Sequence, residues 1–306
     1  MKMLVTGGAG FIGSHVCDRL LRAGHEVVIM DNLTTGSMDN VNKKAKFIKG
    51  DISKKDDIEN LFSNEKIDMV FHLAAQIDVR ISTEEPERDA EVNIVGTINL
   101  LNAVKKYKLK KIIFSSTGGA LYGEVDNPAG EEYEKNPKAP YGISKLSAEM
   151  YIKFFSDNFN INYTILRYAN VYGPRQSVKG EAGVVAIFAK NMLTNKESIL
   201  YGFGKMNRDY VFVKDVSEAN FLSIEKGDRE TYNVGTGIKT NVAEVFNMLK
   251  KHFSDYDKEP ILREKRAGEI TESVISPEKI IRDYNIEFTS FEKGIKETAE
   301  FFMEKK

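Results

Sequence analysis

Apolar positions along the first half of the chain follow two alternating rhythms. The runs KMLVTG, EVVIMD, KFIKGD, MVFHLA, KIIFSS and NYTILR are short and β-rich, and read as strands. Between them the apolar residues fall at helical spacing: Ile12, Val16 and Leu20, then Ile58, Leu61 and Phe62 behind an acidic first turn. A long helix is predicted over residues 87–106. Strand alternating with helix predicts an α/β fold in which helices wind both faces of a parallel sheet. After about residue 170 the rhythm loosens. RYANVYGPRQ reads as a Pro/Gly loop, and the remainder as shorter helices with isolated strands such as DYVFV and TYNVG. The expected division is 1–169 for the main domain and 170–306 for a smaller α/β lobe, with 209–237 returning partly to the first.

Length and composition narrow the class without choosing a function. The 306 residues are 42% hydrophobic, enough for a large core in one domain or two closely joined ones. Forty-four Lys and Arg against 45 Asp and Glu leave a net charge of -1. That balance does not steer the whole protein toward nucleic acid or a membrane. A single cysteine, Cys17, excludes an internal disulfide and fits a reducing compartment. The opening MKMLVTGGAG lacks the long apolar stretch of a signal peptide. The expected setting is cytoplasmic, and no metal site is expected.

Two short stretches carry chemistry. In VTGGAGFIGSH, Gly7, Gly10 and Gly13 follow a strand and open a helix. Glycines let the backbone approach a pyrophosphate, and the helix start offers N–H groups and a positive dipole end. Asp31 ends the second strand, 18 residues past Gly13, with no Arg or Lys directly after it. A carboxylate there accepts a ribose 2′-hydroxyl and repels a 2′-phosphate, which favours NAD over NADP. Asp51 ends the third strand, where it could reach an adenine amino group or cap a helix over residues 53–63.

The second stretch is APYGISKLSAE. Tyr141 and Lys145 stand four apart and share one face of a helix. A free phenol has a pKa of about 10, too high for a base near neutral pH. A neighbouring ammonium and the positive nicotinamide both lower it, at about 1.4 kcal/mol per unit. In FSSTGGALYG, Ser116 or Thr117 lies at the C-terminal end of a parallel strand, where a hydroxyl could hydrogen-bond the group being oxidised.

These residues, with HLAAQ, VNIVGTINLL, LRYANVYGPRQ, RDYVFVKDV, YNVGTG and RAGEI in the same order, make the chain similar to the extended short-chain dehydrogenase/reductases. Within them it most resembles the NAD-dependent nucleotide-sugar 4-epimerases. The resemblance implies a Rossmann-type domain with a C-terminal substrate lobe and residue roles as follows. Gly7, Gly10 and Gly13, with the N–H groups of Phe11 and Ile12, cradle the NAD pyrophosphate. Asp31 and Asn32 hold the adenosine ribose, while Asp51 and Ile52 meet adenine. Leu73, Ala74, Ala75, Gln76, Asn93, Ser115 and Tyr168 line the rest of the cofactor. Tyr141 is the base and Lys145 its electrostatic partner. Asn170, Arg208 and Arg266 take the substrate diphosphate, Glu269 the uridine ribose, and Val184 and Ser273 complete the substrate pocket. Guanidinium forks suit phosphate oxygens.

The family usually places its catalytic Ser or Thr four residues before the tyrosine of the YG pair; here that position is Gly118. Thr117 is therefore the expected hydroxyl, with Ser116 the alternative. The resemblance implies oxidation of a UDP-hexose at C4 by NAD, rotation of the 4-keto sugar and reduction from the other face. Related dehydratases carry an Asp–Glu pair after this Thr, and UDP-glucuronate decarboxylases a Glu in the same loop. Here Gly118 and Gly119 follow, and the first carboxylate is Glu124, which favours an epimerase. Ser273 is small, so UDP-GlcNAc and UDP-GalNAc are expected substrates beside UDP-glucose and UDP-galactose. The alternatives are a dehydratase, a UDP-glucuronate epimerase or decarboxylase, or a non-catalytic NAD sensor.

The helix over residues 141–159 carries two apolar stripes. Tyr141, Lys145, Ala148, Ile152, Phe155 and Phe159 form one, and Ile143, Leu146, Met150 and Phe154 a nearly opposite one. The first faces the sheet. The family resemblance gives the second to a partner subunit, in a homodimer formed with the helix at 87–106.

Overall fold

The computed structural model describes residues 1–178, 183–266 and 270–304. The sheet at its centre starts with β1 (Lys2–Thr6), β2 (Glu26–Asp31) and β3 (Lys46–Lys49), continues with β4 (Met69–His72), β5 (Lys111–Thr117) and β6 (Asn162–Tyr168), and ends with the strand Glu230–Val234. Its order is Glu230–Val234, β6, β5, β4, β1, β2, β3, with every neighbour parallel. β1, β4 and most of β5 are buried along their length because helices cover both faces. The order reverses between β1 and β4. Ligands of such sheets bind outside the carboxyl ends of the strands at that crevice.

The helices α1 (Phe11–Arg22), α2 (Lys55–Asn64) and α3 (Val79–Glu84) come first, followed by α4 (Pro86–Ala90), α5 (Gly96–Lys106) and α6 (Pro140–Phe159). The helix expected at 87–106 is continuous but not uniform. A π-helical stretch, Glu91–Val95, joins α4 to α5 and buries Asn93. Asp51 does not cap α2, whose N-cap is Lys54. Its Oδ1 instead accepts from the Ser53 N–H at 2.9 Å and the Ser53 hydroxyl at 2.8 Å, closing a turn before the helix.

The smaller lobe uses short strands. Asn170–Tyr172 pairs with Tyr210–Phe212, Ile199–Leu200 with Ile261–Leu262, and Asn207–Arg208 with both Thr240–Asn241 and Glu272–Ser273. Its core joins Tyr172, Phe188, Phe212, Phe246 and Ile295. The helix Val213–Leu222 packs on α1, where Arg19 pairs with Glu218 and lies over the Phe221 ring. The strand Glu230–Val234 then re-enters the main sheet beside β6, so the chain crosses between the lobes more than once.

Candidate active site

The glycine turn is shaped by contacts that allow no side chain. Gly7 has φ +71°, and a Cβ there would stand 2.7 Å from the Ala74 backbone nitrogen. A Cβ at Gly13 would fall on the Gly7 carbonyl oxygen. The Leu73–Ala74 backbone is drawn in by Thr6, whose carbonyl accepts from Leu73 N and whose hydroxyl accepts from Ala74 N. No side chain caps α1, so the N–H groups of Phe11 and Ile12 open onto the crevice. Asp31 is 7% exposed and holds the turn's rim: Oδ2 accepts from Ala9 N at 3.0 Å and Oδ1 from Leu33 N at 2.8 Å. A carboxylate has about four lone-pair sites, so capacity for a ribose remains. The Asn32 amide donates to Asp51 Oδ2 at 3.0 Å, and Ile52 is buried against Gly96. This close-packed turn, uncapped helix and terminal carboxylate fit a dinucleotide.

Beyond the turn, the segment after β4 is tied to α6 by polar side chains. Asn93 Oδ1 accepts from Gln76 N at 2.8 Å. Its Nδ2 lies 2.9 Å from the Gln76 carbonyl, 3.1 Å from Asp89 Oδ1 and 3.1 Å from Ser144 Oγ. Ala75 is half-buried beside Gln76. The Ser144 hydroxyl donates to the Tyr141 carbonyl, and Tyr141 N donates to Ser82 Oγ at 3.2 Å. The first turn of α6 is thus held from two sides. Pro140 at its start needs no N–H partner.

Tyr141 is half-buried, whereas Lys145 is 3% exposed and its Nζ lies 4.4 Å from the centre of the Phe114 ring. Burial pulls the Lys145 pKa from 10.5 down to about 8, against the opposing charges of Glu149 and Asp89. His72, behind it, bridges the Thr6 and Thr97 hydroxyls. Burial lowers its pKa to about 3, so it stays neutral.

The two candidate hydroxyls on β5 turn to different partners. Ser116 donates to Glu149 Oε1 at 2.6 Å in a buried network. There Arg167 Nε reaches Glu149 Oε1 at 3.0 Å and Nη2 reaches Oε2 at 2.6 Å. Arg167 Nη1 also donates to Tyr122 Oη and to the Glu131 carbonyl. Ser116 is consumed by this network. Thr117 ends the strand, its Oγ1 accepting from Ala120 N at 3.1 Å in the turn at the crevice. Tyr168 is 5% exposed, and its hydroxyl accepts from Asn220. That side chain points toward the helix Val213–Leu222, with Ser115 beside it.

The substrate-side residues come from the other lobe. A Cβ on Gly119 would meet Asn170 Oδ1 at 3.1 Å, and one on Gly118 would meet Ile275 Cδ1 at 2.8 Å. Ser273 is buried and donates to the Gly119 carbonyl at 3.4 Å. It pairs in register with Arg208, whose guanidinium donates to the Ile270 and Asn207 carbonyls at 2.8 Å. Glu124 anchors the same segment by accepting from Thr271 N and Glu272 N. The Arg266 guanidinium stacks over the Tyr201 ring at 3.8 Å. Val184 begins the helix Val184–Leu193 and is half-buried. Glu269 lies outside the described residues.

Sequence reasoning missed Ser82, Asp89, Ser144, Glu149, Arg167 and Tyr201. Glu149 alone had a local signal, since it continues the Tyr141–Lys145 spacing by one more turn.

Three solved structures are similar to the chain along its length. A UDP-glucose 4-epimerase from Thermotoga maritima, solved with UDP-glucose, has 48% identity and a TM-score of 0.97, covering 100% of this chain and 99% of its own. A UDP-glucose 4-epimerase from Thermus thermophilus, solved with NAD, has 41% identity and a TM-score of 0.93, covering 99% of both. A UDP-N-acetylglucosamine 4-epimerase from Methanobrevibacter ruminantium, solved with UDP-N-acetylmuramic acid, has 33% identity and a TM-score of 0.92, covering 100% of this chain and 99% of its own. Residues 3–235 match the NAD dependent epimerase/dehydratase family. The chain thus belongs to the NAD-dependent epimerase/dehydratase family, among the extended short-chain dehydrogenase/reductases, and its cofactor is NAD.

Proposed function

We propose that the protein interconverts UDP-hexoses at C4, taking UDP-glucose and UDP-galactose and also their N-acetylated counterparts. The observation that carries this reading is the Thr117–Gly118–Gly119 turn. It lies beside the Tyr141 helix with no carboxylate on it, and Ile275 and Asn170 fill the space a side chain would need. Elimination of water from the sugar requires a further acid and base at that place; an epimerisation does not.

NAD bound in the crevice supplies a reversible two-electron acceptor that each turnover returns unchanged. The residues of the chain do the rest. Tyr141 removes the proton of the 4-hydroxyl while Thr117 hydrogen-bonds its oxygen. The Lys145 ammonium favours the phenolate that this requires. Asn170, Arg208 and Arg266 hold the diphosphate as a pivot, so that the freed 4-keto sugar can turn over. Gly118, Gly119 and the small Ser273 put no bulky or charged side chain beside it. Tyr141 then returns its proton to the oxygen on the inverted carbon.

A coupled assay with UDP-glucose, UDP-galactose and UDP-GlcNAc tests the reading, together with NAD release from denatured protein. Turnover in wild type and a fall of about 10²–10⁴-fold in Tyr141→Phe are expected. Bound NAD without turnover on any UDP-sugar would point to a binding module instead. In Ser273→Tyr, UDP-GlcNAc turnover should fall more than UDP-glucose turnover; an equal fall removes the claim about N-acetyl sugars.

The assembly is read as a homodimer. Ile143, Met150 and Phe154 on α6 are each at least half exposed, an apolar stripe that suits a second copy. Leu146, expected on that stripe, is half-buried against the main core, so it is a poor probe of the interface. Among the described residues no helix is long and apolar enough to cross a membrane, which is consistent with a cytoplasmic enzyme.

A further inference from the structure

Asp89 on α4 is 1% exposed, and no role in the reaction has yet been given to it. Its Oδ1 accepts from Gln76 Nε2 at 3.0 Å and from Asn93 Nδ2 at 3.1 Å. Among the described residues its Oδ2 has no hydrogen-bond partner. A buried carboxylate oxygen left open is costly, and calls for a group that uses its charge. The path out of Asp89 leads to the catalytic helix. Asn93 reaches Ser144 Oγ, Ser144 precedes Lys145 in the chain, and its hydroxyl holds the Tyr141 carbonyl.

The groups facing Lys145 come from three elements besides α6. On α6 itself, Glu149 is already paired on both oxygens with Arg167. On β4, His72 is neutral. On β5, Phe114 offers only its ring face. On α4 stands Asp89, with no cation hydrogen-bonded to it in the described structure. Tyr141, one turn earlier on α6, is the group that Lys145 serves.

We propose that Asp89 is a positioning residue for the epimerisation: through Asn93 and Ser144 it fixes the turn that carries Tyr141, and its buried carboxylate adds to Glu149 as a counter-charge that keeps Lys145 an ammonium. This rests on the reading of Tyr141 and Lys145 as the reacting pair. Burial pulls Lys145 down to about 8, Glu149 opposes it most and Asp89 adds to that, and burial pushes Asp89 itself up. Without the carboxylate, Lys145 gives up its proton at lower pH, and the phenolate loses its neighbour.

Asp89→Asn keeps the size of the side chain and removes the charge. The alkaline limb of kcat/KM should move to lower pH by about one unit, a tenfold loss on that limb. KM for the UDP-sugar and the bound NAD should stay as in wild type. A residue that only stabilises the fold would lower the whole profile without moving either limb, and that outcome overturns the proposal. A second readout needs no turnover: a carbon-13 NMR titration of lysine-labelled protein, with the Lys145 signal assigned by its loss in Lys145→Met. The Lys145 midpoint should fall in Asp89→Asn; an unchanged midpoint rejects the role of Asp89 even if the enzyme is active. Wild type without turnover rejects the epimerase reading, while the midpoint still decides about Asp89. If Asp89→Asn does not fold, Asp89→Ser removes the same charge with a smaller polar group and carries the same expectations.

Discussion

Gly13 has no room for even one carbon, because a Cβ there would fall on the Gly7 carbonyl. Gly13→Ala must therefore open this turn, which we propose cradles the pyrophosphate. The protein should purify with little bound NAD, measured as nucleotide released on denaturation. Lys145 carries the opposite kind of cost. Its pKa falls from 10.5 to about 8, which at about 1.4 kcal/mol per unit is roughly 3 kcal/mol against folding with the charge in place. The unfolded chain binds more protons between these two values, so this contribution to stability rises with pH from about 8 toward 10.5. On the proposed mechanism activity should run the other way, because above about 8 the ammonium is lost. Lys145→Met should thus melt higher than wild type at neutral pH while losing about 10²-fold or more in turnover. A lower melting temperature would refute the stored cost. Gly7, Gly13, Asp31, Tyr141 and Lys145 were legible because each motif's spacing lies within one turn or one strand end. Ser144 and Tyr201 were not, because Asn93 and Arg266 reach them from distant parts of the chain, and Asp89 was not, because its link to the catalytic helix runs through Asn93. Ser116 and Thr117 are adjacent, so spacing could not separate them; successive strand residues face opposite sides, and that decides which is consumed by Glu149.

Strands and helices of the first half stood out in the sequence because each keeps one period along its length. The π-helical stretch at Glu91–Val95 did not, because a single wide turn has no residue signature of its own. That stretch places Asn93 between Gln76 and Ser144, so the irregularity belongs to the site. The Glu149–Arg167 pair binds three elements: α6, β5 through Ser116, and β6. Both side chains are 2–3% exposed. Removing one partner strands a buried charge, so Arg167→Met should cost about 3–5 kcal/mol in denaturant unfolding. The double change Arg167→Met with Glu149→Met should recover much of that loss. A single change with no measurable cost would mean that water reaches the pair.

On the scale of the whole molecule, the site exists because two lobes meet at the carboxyl edge of the sheet. Gly119 from the first lobe touches Asn170 and Ser273 from the second, and Glu124 holds the backbone beside Arg208. The second lobe was hard to read because its strands are only two or three residues long and its pairings are distant in sequence. The exposed stripe on α6 also belongs to this scale. Met150→Glu should shift the protein from dimer to monomer in sizing experiments, since it charges a side chain that is 65% exposed on the apolar stripe. An unchanged dimer would move the interface elsewhere.

The strand Glu230–Val234 has one more consequence. It shields β6, which would otherwise form an open border of unpaired amides and carbonyls along a buried strand. A truncation after residue 169 leaves that border bare, and the shortened polypeptide should clump on expression instead of yielding a free-standing cofactor module. Supplying the missing piece in trans, as a separately expressed fragment from residue 170 onward, is the way such a half-molecule would be kept soluble.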